Sequence, residues 1–436
     1  MAQDWQERLY RRITGESGEL SCKGLEDRAC GSVPRNFVAH AATLVMTKTG
    51  DALSRPSLIL TWLLGSLGAP AAVIGLLAPV RESGSLLPQI PVSRMLEGRD
   101  QAKGIWITGC TLQGLAVLGM AATAATLTGA VAGWTILALL AVFSLARGLC
   151  SISSKVLTGK LIPQARRGRL SGLASSISGW SAVGVGIYFA FQSQEEISTG
   201  VFAILLLIAG LLWLGAAAGS TRLVEFAKDT PDQTSGWSSM MSDIWGLLRD
   251  DDAFRRFCIA RALLASTVLS MPFYVVLAQE ATQGAAIALG LLVVASNVAT
   301  AASAFVWGRL ADHSSRLTMA AAGLAAGGVG CVTVLASGWE FSPKAAIALW
   351  VVLFFAIGLA HTGIRQGRKT YLVDMAPVDQ RARYVAVSNT LMGVVLVASS
   401  GFGLLAETLG PRPVILVFAL LGLAGGGMAL RLREAV

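Results

Sequence analysis

Nine ionisable side chains stand inside long apolar runs of this 436-residue sequence: Lys48, Asp51, Arg55, Arg81, Glu82, Arg147, Arg261, His361 and Arg365. A charge withdrawn from water is costly unless it meets an opposite charge, a water-filled cavity or a bound ion. These residues therefore mark where chemistry could occur, and their types say which chemistry. Guanidinium groups offer paired hydrogen bonds to carboxylate or phosphate. Asp51 and Glu82 are acids that could carry a proton, and His361 is an alternative because imidazole titrates near neutral pH. Basic groups outnumber acids in this set, so a water-filled interior built from it would favour a small organic anion.

At about 1.5 Å of rise per residue, Lys48 and Asp51 fall near the middle of the first apolar run, and Arg81 and Glu82 at a comparable depth on the second. The simplest pairing sets Asp51 against Arg81 and Lys48 against Glu82. Such pairs serve either as structural ties or as contacts that break and re-form during a working cycle. Arg147 and His361 sit at equivalent depths on the fourth and tenth runs, where Arg147 either works in the interior or snorkels to a membrane face. Arg365 lies one helical turn beyond His361, followed by Arg368 and Lys369 as a basic stripe. Gln113, Trp180, Asn297 and Asn389 could touch a solute or bond neighbouring helices, and Pro56, Pro88, Pro91 and Pro272 could kink them. No nucleophile stands beside a base, since the Ser151 to Ser154 run lacks one, and no Gly-rich phosphate loop occurs, so neither an enzyme nor an ATP-driven machine is expected. The six cysteines are scattered, without CxxC or histidine at ligand spacing. Free thiols, no metal and no cofactor are expected.

The elements that must position these groups follow from composition. With 54% hydrophobic and 14% charged residues and a mean hydropathy of +0.62, the chain has too little polar surface for a soluble globule, and a bilayer is its natural solvent. Twelve helical spans are expected near 37–63, 69–92, 104–125, 132–158, 169–191, 201–221, 255–279, 285–308, 317–337, 345–371, 384–406 and 413–431, the first interrupted by Lys48, Asp51 and Arg55. The net charge of +9 comes from Lys and Arg in short segments between the runs, which reads as topology and not as a nucleic-acid face. Alternate connections are rich in Lys and Arg, whereas the opposite set holds only Lys344 and Arg412. Both termini are therefore expected in the cytoplasm, with the chain a monomer in the inner, cytoplasmic membrane. Met1 to Arg35 is polar and lacks the apolar core of a leader. Within it Trp5, Leu9 and Ile13 share a helical face beside Arg8, Arg11 and Arg12, which would lie on the membrane surface or remain a solvated tail. The polar stretch 222–254 is the expected linker, with Met240, Met241, Ile244, Leu247 and Leu248 at helical spacing near its end.

An internal repeat organises the whole. Leu145-Ala146-Arg147, Lys155, Pro163 and Arg167-Gly168-Arg169 recur 214 residues later as Leu359-Ala360-His361, Lys369, Pro377 and Arg381-Ala382-Arg383. Arg94-Met95-Leu96-Glu97 answers Arg309-Leu310-Ala311-Asp312. Two six-span halves are expected, with boundaries 1–36 for the N-terminal tail, 37–221 and 255–431 for the bundles, 222–254 for the linker and 432–436 for the C-terminal tail. The segment from Gly308 to Arg316 resembles the signature loop of the major facilitator superfamily, Gly-x-Leu-Ala-Asp-Arg-x-Gly-Arg, at Gly308, Leu310, Ala311, Asp312 and Arg316, and departs from it at His313 and Ser315.

That resemblance implies an all-α membrane protein of twelve transmembrane helices in two pseudo-symmetric six-helix bundles, a bacterial-type permease moving a small solute by alternating access. It also implies a gating role for Gly308, Asp312 and Arg316, and for Glu97, Arg167, Arg169, Arg381 and Arg383 in the related loops. Spans one, four, seven and ten would line the path, which places Lys48, Asp51, Arg55, Arg147, His361 and Arg365 along it with Arg81 and Glu82 beside them. The expected work is proton-coupled secondary transport of an organic anion. The alternatives are efflux of drugs or metabolites, and a non-transporting assembly factor or receptor that keeps the fold.

Overall fold

A bilayer offers no water to satisfy backbone groups, so an apolar run must close its hydrogen bonds within itself, and the described runs are helical. The computed structural model describes residues 2–15, 22, 30–88, 102–192, 197–226, 245–377 and 380–434. In chain order the helices are α1 (Ala2–Thr14), α2 (Val33–Leu53), α3 (Thr61–Ser66), α4 (Ala71–Leu86), α5 (Ala102–Thr126), α6 (Gly129–Leu161), α7 (Gln164–Ala190) and α8 (Thr199–Ser220). They continue as α9 (Asp252–Leu264), α10 (Ser266–Ala281), α11 (Ala286–His313), α12 (Ser315–Ala336), α13 (Pro343–Met375), α14 (Arg381–Ala398), α15 (Gly401–Leu409) and α16 (Pro411–Leu430). Among the described residues ten helices are long and apolar enough to cross a membrane, with α9 and α10 forming one such rod and α14 and α15 another.

The first two expected spans do not reach that measure. The run expected over 37–63 is split: α2 stops at Leu53, a π-helical turn occupies Pro56–Leu60, and α3 resumes for one and a half turns. Pro56 has no N–H to continue the ladder, and the Thr61 hydroxyl donates to the Pro56 carbonyl at 2.8 Å, satisfying it locally. α4 has 16 residues, and 89–101, which include Glu97 and Pro91, lie outside the described residues.

Helix partners are chosen twice over. α5 packs against α6 and α8, and α12 against α13 and α16. α4 packs on α6 as α11 packs on α13, and α2 on α8 as α9 and α10 pack on α16. The two sets meet through α7 against α11 and through α4 against α14 and α15. Both crossings run over glycine: a Cβ on Gly186 would lie 2.9 Å from the Gly290 carbonyl, and a Cβ on Gly403 would lie 2.6 Å from the Ala72 carbonyl. Only hydrogen in place of a side chain lets these backbones approach so closely.

Both termini dock on one face. Tyr10 of α1 is buried edge-on against Phe37, and the Thr14 carbonyl accepts from Arg169 at 2.7 Å and Arg166 at 3.3 Å at the start of α7. At the other end Arg316 holds the Glu434 carboxylate at 2.7 Å and the Leu432 carbonyl at 3.1 Å. Because α11 starts where α7 ends, the start of α7 and the end of α11 share a face. The N-terminal segment is therefore a docked amphipathic helix with Trp5 and Leu9 exposed, not a free tail. Cys22 and Cys30, expected as free thiols, are joined as a disulfide with Cα atoms 5.5 Å apart; eight residues of separation make the loop cheap to close. The expected linker lies largely outside the described residues, and α9 opens at Asp252 with the Asp251 carboxylate accepting from the Phe254 N–H at 2.9 Å.

Gly403→Leu is expected to lower stability by about 1–3 kcal/mol, the usual cost of overpacking. Gly328→Leu, where nothing lies within 4 Å, is expected to leave it unchanged. Thermal unfolding of the purified protein in detergent reads the difference.

Candidate functional site

The site grows from one carboxylate. Asp51, two residues before the end of α2, accepts from Arg81 of α4 at 3.0 Å and from Arg147 of α6 on its other oxygen. The expected Asp51–Arg81 pair is thus present, with Arg147 as a third member. α4 and α6 come close enough to share the acid because a Cβ on Gly84 would stand only 2.6 Å from Ser144 Cβ, leaving no room for a side chain. The Arg81 guanidinium also lies 5.1 Å from the centre of the Phe143 ring, one turn before Arg147 on α6. A delocalised cation gains from the negative face of the ring without needing a second acid.

Lys48 does not meet Glu82. Its ammonium donates to the Ser175 hydroxyl at 2.7 Å and to the Ser171 carbonyl at 3.2 Å, both on α7. The correction has a local reason: at roughly 100° per residue Lys48 stands only about 60° around the helix from Asp51, but α7 packs along that side of α2 and its Ser175 and Ser171 satisfy the ammonium there. Arg261 of α9 repeats this arrangement, donating to the Ser388 hydroxyl and to Asn389 Oδ1 at 2.9 Å on α14. Position 48 precedes 261 by 213 residues and 175 precedes 389 by 214, so the α2–α7 and α9–α14 contacts are each tied by a cation at equivalent places in the repeat.

The remaining interior charges lie between the halves. Arg55 donates to the Ser296 hydroxyl of α11 and stands within electrostatic reach of Asp51 and of Arg365 on α13. Glu82 is within reach of Arg81, Arg147 and Arg368, the last on the opposite half. His361 has Arg365 and Arg368 as charged neighbours. Arg365 itself is exposed and has no carboxylate partner among the described residues. Further ties between the halves join the Ala72 N–H to Glu407 at 2.8 Å and the Gln279 amide to the Trp62 carbonyl at 3.2 Å and the Ser66 hydroxyl at 3.1 Å.

The loop residues divide into two kinds. Arg167 donates to the Gly159 and Ile162 carbonyls at the end of α6, and Arg381 to the Val373 carbonyl at the end of α13, equivalent bonds 214 residues apart. Each caps the last turn of a long helix, where a cation meets unsatisfied carbonyls. Arg169 and Arg316 instead hold the two terminal segments, as described above. Asp312 is exposed with no bond to Arg316, Gly308 is partly buried, and Arg383 is exposed at the start of α14. Of the polar residues singled out for solute contact, Gln113 is buried and bonds the Gly109 carbonyl and Cys150, and Asn297 bonds its own helix. Trp180 is 76% exposed. Sequence reasoning missed Ser171, Ser175, Ser296, Ser388 and Phe143. The repeat offset could have found Ser175 and Ser388, because it predicts that partners as well as charges are duplicated.

Residues 262–435 match the model of the Major Facilitator Superfamily. A mutant of the nucleoside transporter NupG has the same fold with a TM-score of 0.70 at 10% identity, over 91% of this chain and 99% of that one. A POT family transporter in complex with 5-aminolevulinic acid gives 0.68 at 11% identity, over 91% and 95%. A mutant of the peptide transporter POT in complex with sulfate gives 0.65 at 12% identity, over 91% and 94%. No curated protein matches the sequence. The family match covers the second part of the chain, and the fold is shared with transporters over nine-tenths of it.

Asp51→Asn leaves Arg81 and Arg147 with Glu82 as their one nearby acid and is expected to destabilise the protein by about 1–3 kcal/mol, below the cost of breaking a fully buried pair because the site is partly open. Asp51→Glu is expected to recover part of the loss. Thermal unfolding of both variants, compared at equal expression, tests the hub.

Proposed function

We propose that the protein is a secondary active transporter that carries a small organic anion across the cytoplasmic membrane by alternating access. The observation that carries this reading is the excess of guanidinium groups at the junction of the halves: among the described residues Arg55, Arg81, Arg147, Arg365 and Arg368 gather where Asp51 and Glu82 are the acids. A basic, partly open interior lowers the cost of bringing an anion out of water. A twelve-span, two-bundle arrangement with boundaries at 37–221 and 255–431 is supported by the duplicated helix partners and by the matched Lys48 and Arg261 bonds. In it α2 with α3, and α4, serve as the first two spans despite their charges, because those charges face neighbouring helices and not lipid.

Proton coupling is part of the proposal. Asp51 is occupied by two guanidinium groups, so Glu82 and His361, which have no hydrogen-bonded partner for their side chains among the described residues, are the groups proposed to exchange the proton. Lys48 is assigned to the α2–α7 tie. The loops at Glu97, Arg167 and Arg169, and at Gly308, Asp312, Arg316, Arg381 and Arg383, are proposed as the gates that rearrange with access. The termini are placed in the cytoplasm by the bias of Lys and Arg, and the functional unit is proposed to be the monomer.

Uptake of radiolabelled organic anions into proteoliposomes, with and without an imposed pH gradient, tests the proposal. Gradient-stimulated accumulation is the expected result. Arg147→Ala is expected to reduce it at least tenfold while membrane insertion persists, since the remaining Asp51–Arg81 pair keeps the acid neutralised. Absence of accumulation of every anion, together with co-purification of a stable protein partner, would overturn it in favour of an assembly role.

A further inference from the structure

We infer that α1 is an interfacial helix that binds anionic phospholipid headgroups through Arg8 and Arg12, on the membrane face that carries the termini. The inference goes beyond solute transport and needs only that the chain spans a bilayer.

The height of α1 is set by its contacts. Tyr10 meets Phe37 edge-on with ring centres 5.2 Å apart, and the Thr14 carbonyl accepts from Arg166 and Arg169. Phe37 and both arginines lie within the first two turns of α2 and α7, where a spanning helix passes from the headgroups into the acyl chains. α1 is therefore fastened at headgroup level.

Its rotation is set by the side chains. At about 100° per residue the helix sorts them into four strips. Tyr10 and Thr14 are buried and form the strip against the bundle. Beside them Glu7 and Arg11 pair with each other at 2.9 Å. Trp5, Leu9 and Ile13 form the strip opposite that ion pair; Trp5 is 47% exposed and Leu9 37%, while Ile13 closes on the core. Arg8 and Arg12, both exposed, stand between the apolar strip and the ion pair. A helix lying flat on a membrane needs this order: paired charges toward water, an apolar strip toward the acyl chains and cations at the flank, level with the phosphates. There the indole and the leucine leave water, and each guanidinium can donate paired hydrogen bonds to phosphate oxygens. Because Arg166 and Arg169 hold the end of α1, a lipid bound to it also steadies the start of α7, the helix that crosses α11 where the halves meet.

Two measurements on the full chain test this. Binding and thermal unfolding are followed in mixed micelles with phosphatidylglycerol, with phosphatidylcholine, and with glycerol phosphate as a free phosphate. Phosphatidylglycerol is expected to bind roughly tenfold more tightly than phosphatidylcholine, to raise the unfolding temperature more, and to lose its advantage in added salt and in the double variant Arg8→Gln with Arg12→Gln. Glycerol phosphate is expected to have no effect. In bilayers containing brominated lipid, the unmodified chain is expected to show a quenched tryptophan component that Trp5→Phe lacks.

Equal binding of the two lipids overturns the inference, as does a preference that survives in the double variant. Glycerol phosphate binding as tightly as phosphatidylglycerol assigns the arginines to a free phosphate instead. An unquenched Trp5 component places the apolar strip away from lipid and leaves it to a protein partner or to water. The lipid comparison needs only the unmodified chain, so it decides the matter even if the double variant fails to fold.

Discussion

Charge neutralisation without bulk water is the constraint on which the rest of this structure depends. Asp51 satisfies it by accepting from two guanidinium groups on two different helices, so one acid fixes α2, α4 and α6 against one another. Remove the acid and the close approach of α4 and α6 at Gly84 brings two like charges together with no carboxylate bonded to either. The apolar packing around them is extensive but non-directional. The bridged carboxylate is what gives these three helices a particular rotation about their axes.

The same demand is met in the second half with different residues. Lys48 holds α7 through two serine positions, and Arg261 holds α14 through Ser388 and Asn389, at equivalent places in the repeat. Arg167 and Arg381 cap equivalent helix ends in the same way. What the duplication preserves is therefore a donor and its acceptor, not a particular residue type. The interior charges are where the halves part company: the hub of Asp51, Arg81 and Arg147 has no acid answering it on α9 or α13, where His361, Arg365 and Arg368 stand in a basic row. Symmetry in the frame and asymmetry in the charges leave the second half electrostatically incomplete without the first.

The sequence was legible where one residue type has one physical consequence. Long apolar runs imply helices, and the 214-residue repeat foreshadowed the duplicated bonds of Arg167 with Gly159 and Arg381 with Val373, because composition and spacing act locally. Asp51 with Arg81 was readable from depth alone. Lys48 was not, because depth leaves the direction around the helix open, and its serine partners carry no charge to draw notice. The break at Pro56 was visible as a proline but not as a π-helical turn, since its register is set by Thr61, five residues on, whose N–H and hydroxyl both meet the Pro56 carbonyl. Arg55 with Arg365, and Glu82 with Arg368, depend on how the halves meet, and that is decided by glycine crossings at Gly186 and Gly403 whose significance no single residue announces.

Those crossings also bear on how access could alternate. Gln279 with Trp62, Ala72 with Glu407 and Arg55 with Ser296 join the halves toward the face away from the termini, near the starts of α4 and α11 and the ends of α3 and α10. The ties of Lys48 and Arg261 lie within halves and can persist while the halves rock. On the alternating-access reading the first set must break when that face opens, and Arg55 is then released from Ser296. A guanidinium freed in one state and fastened in the other changes its distance from Asp51, so the same bond that closes the face also sets how far Arg55 shares that acid with Arg81 and Arg147.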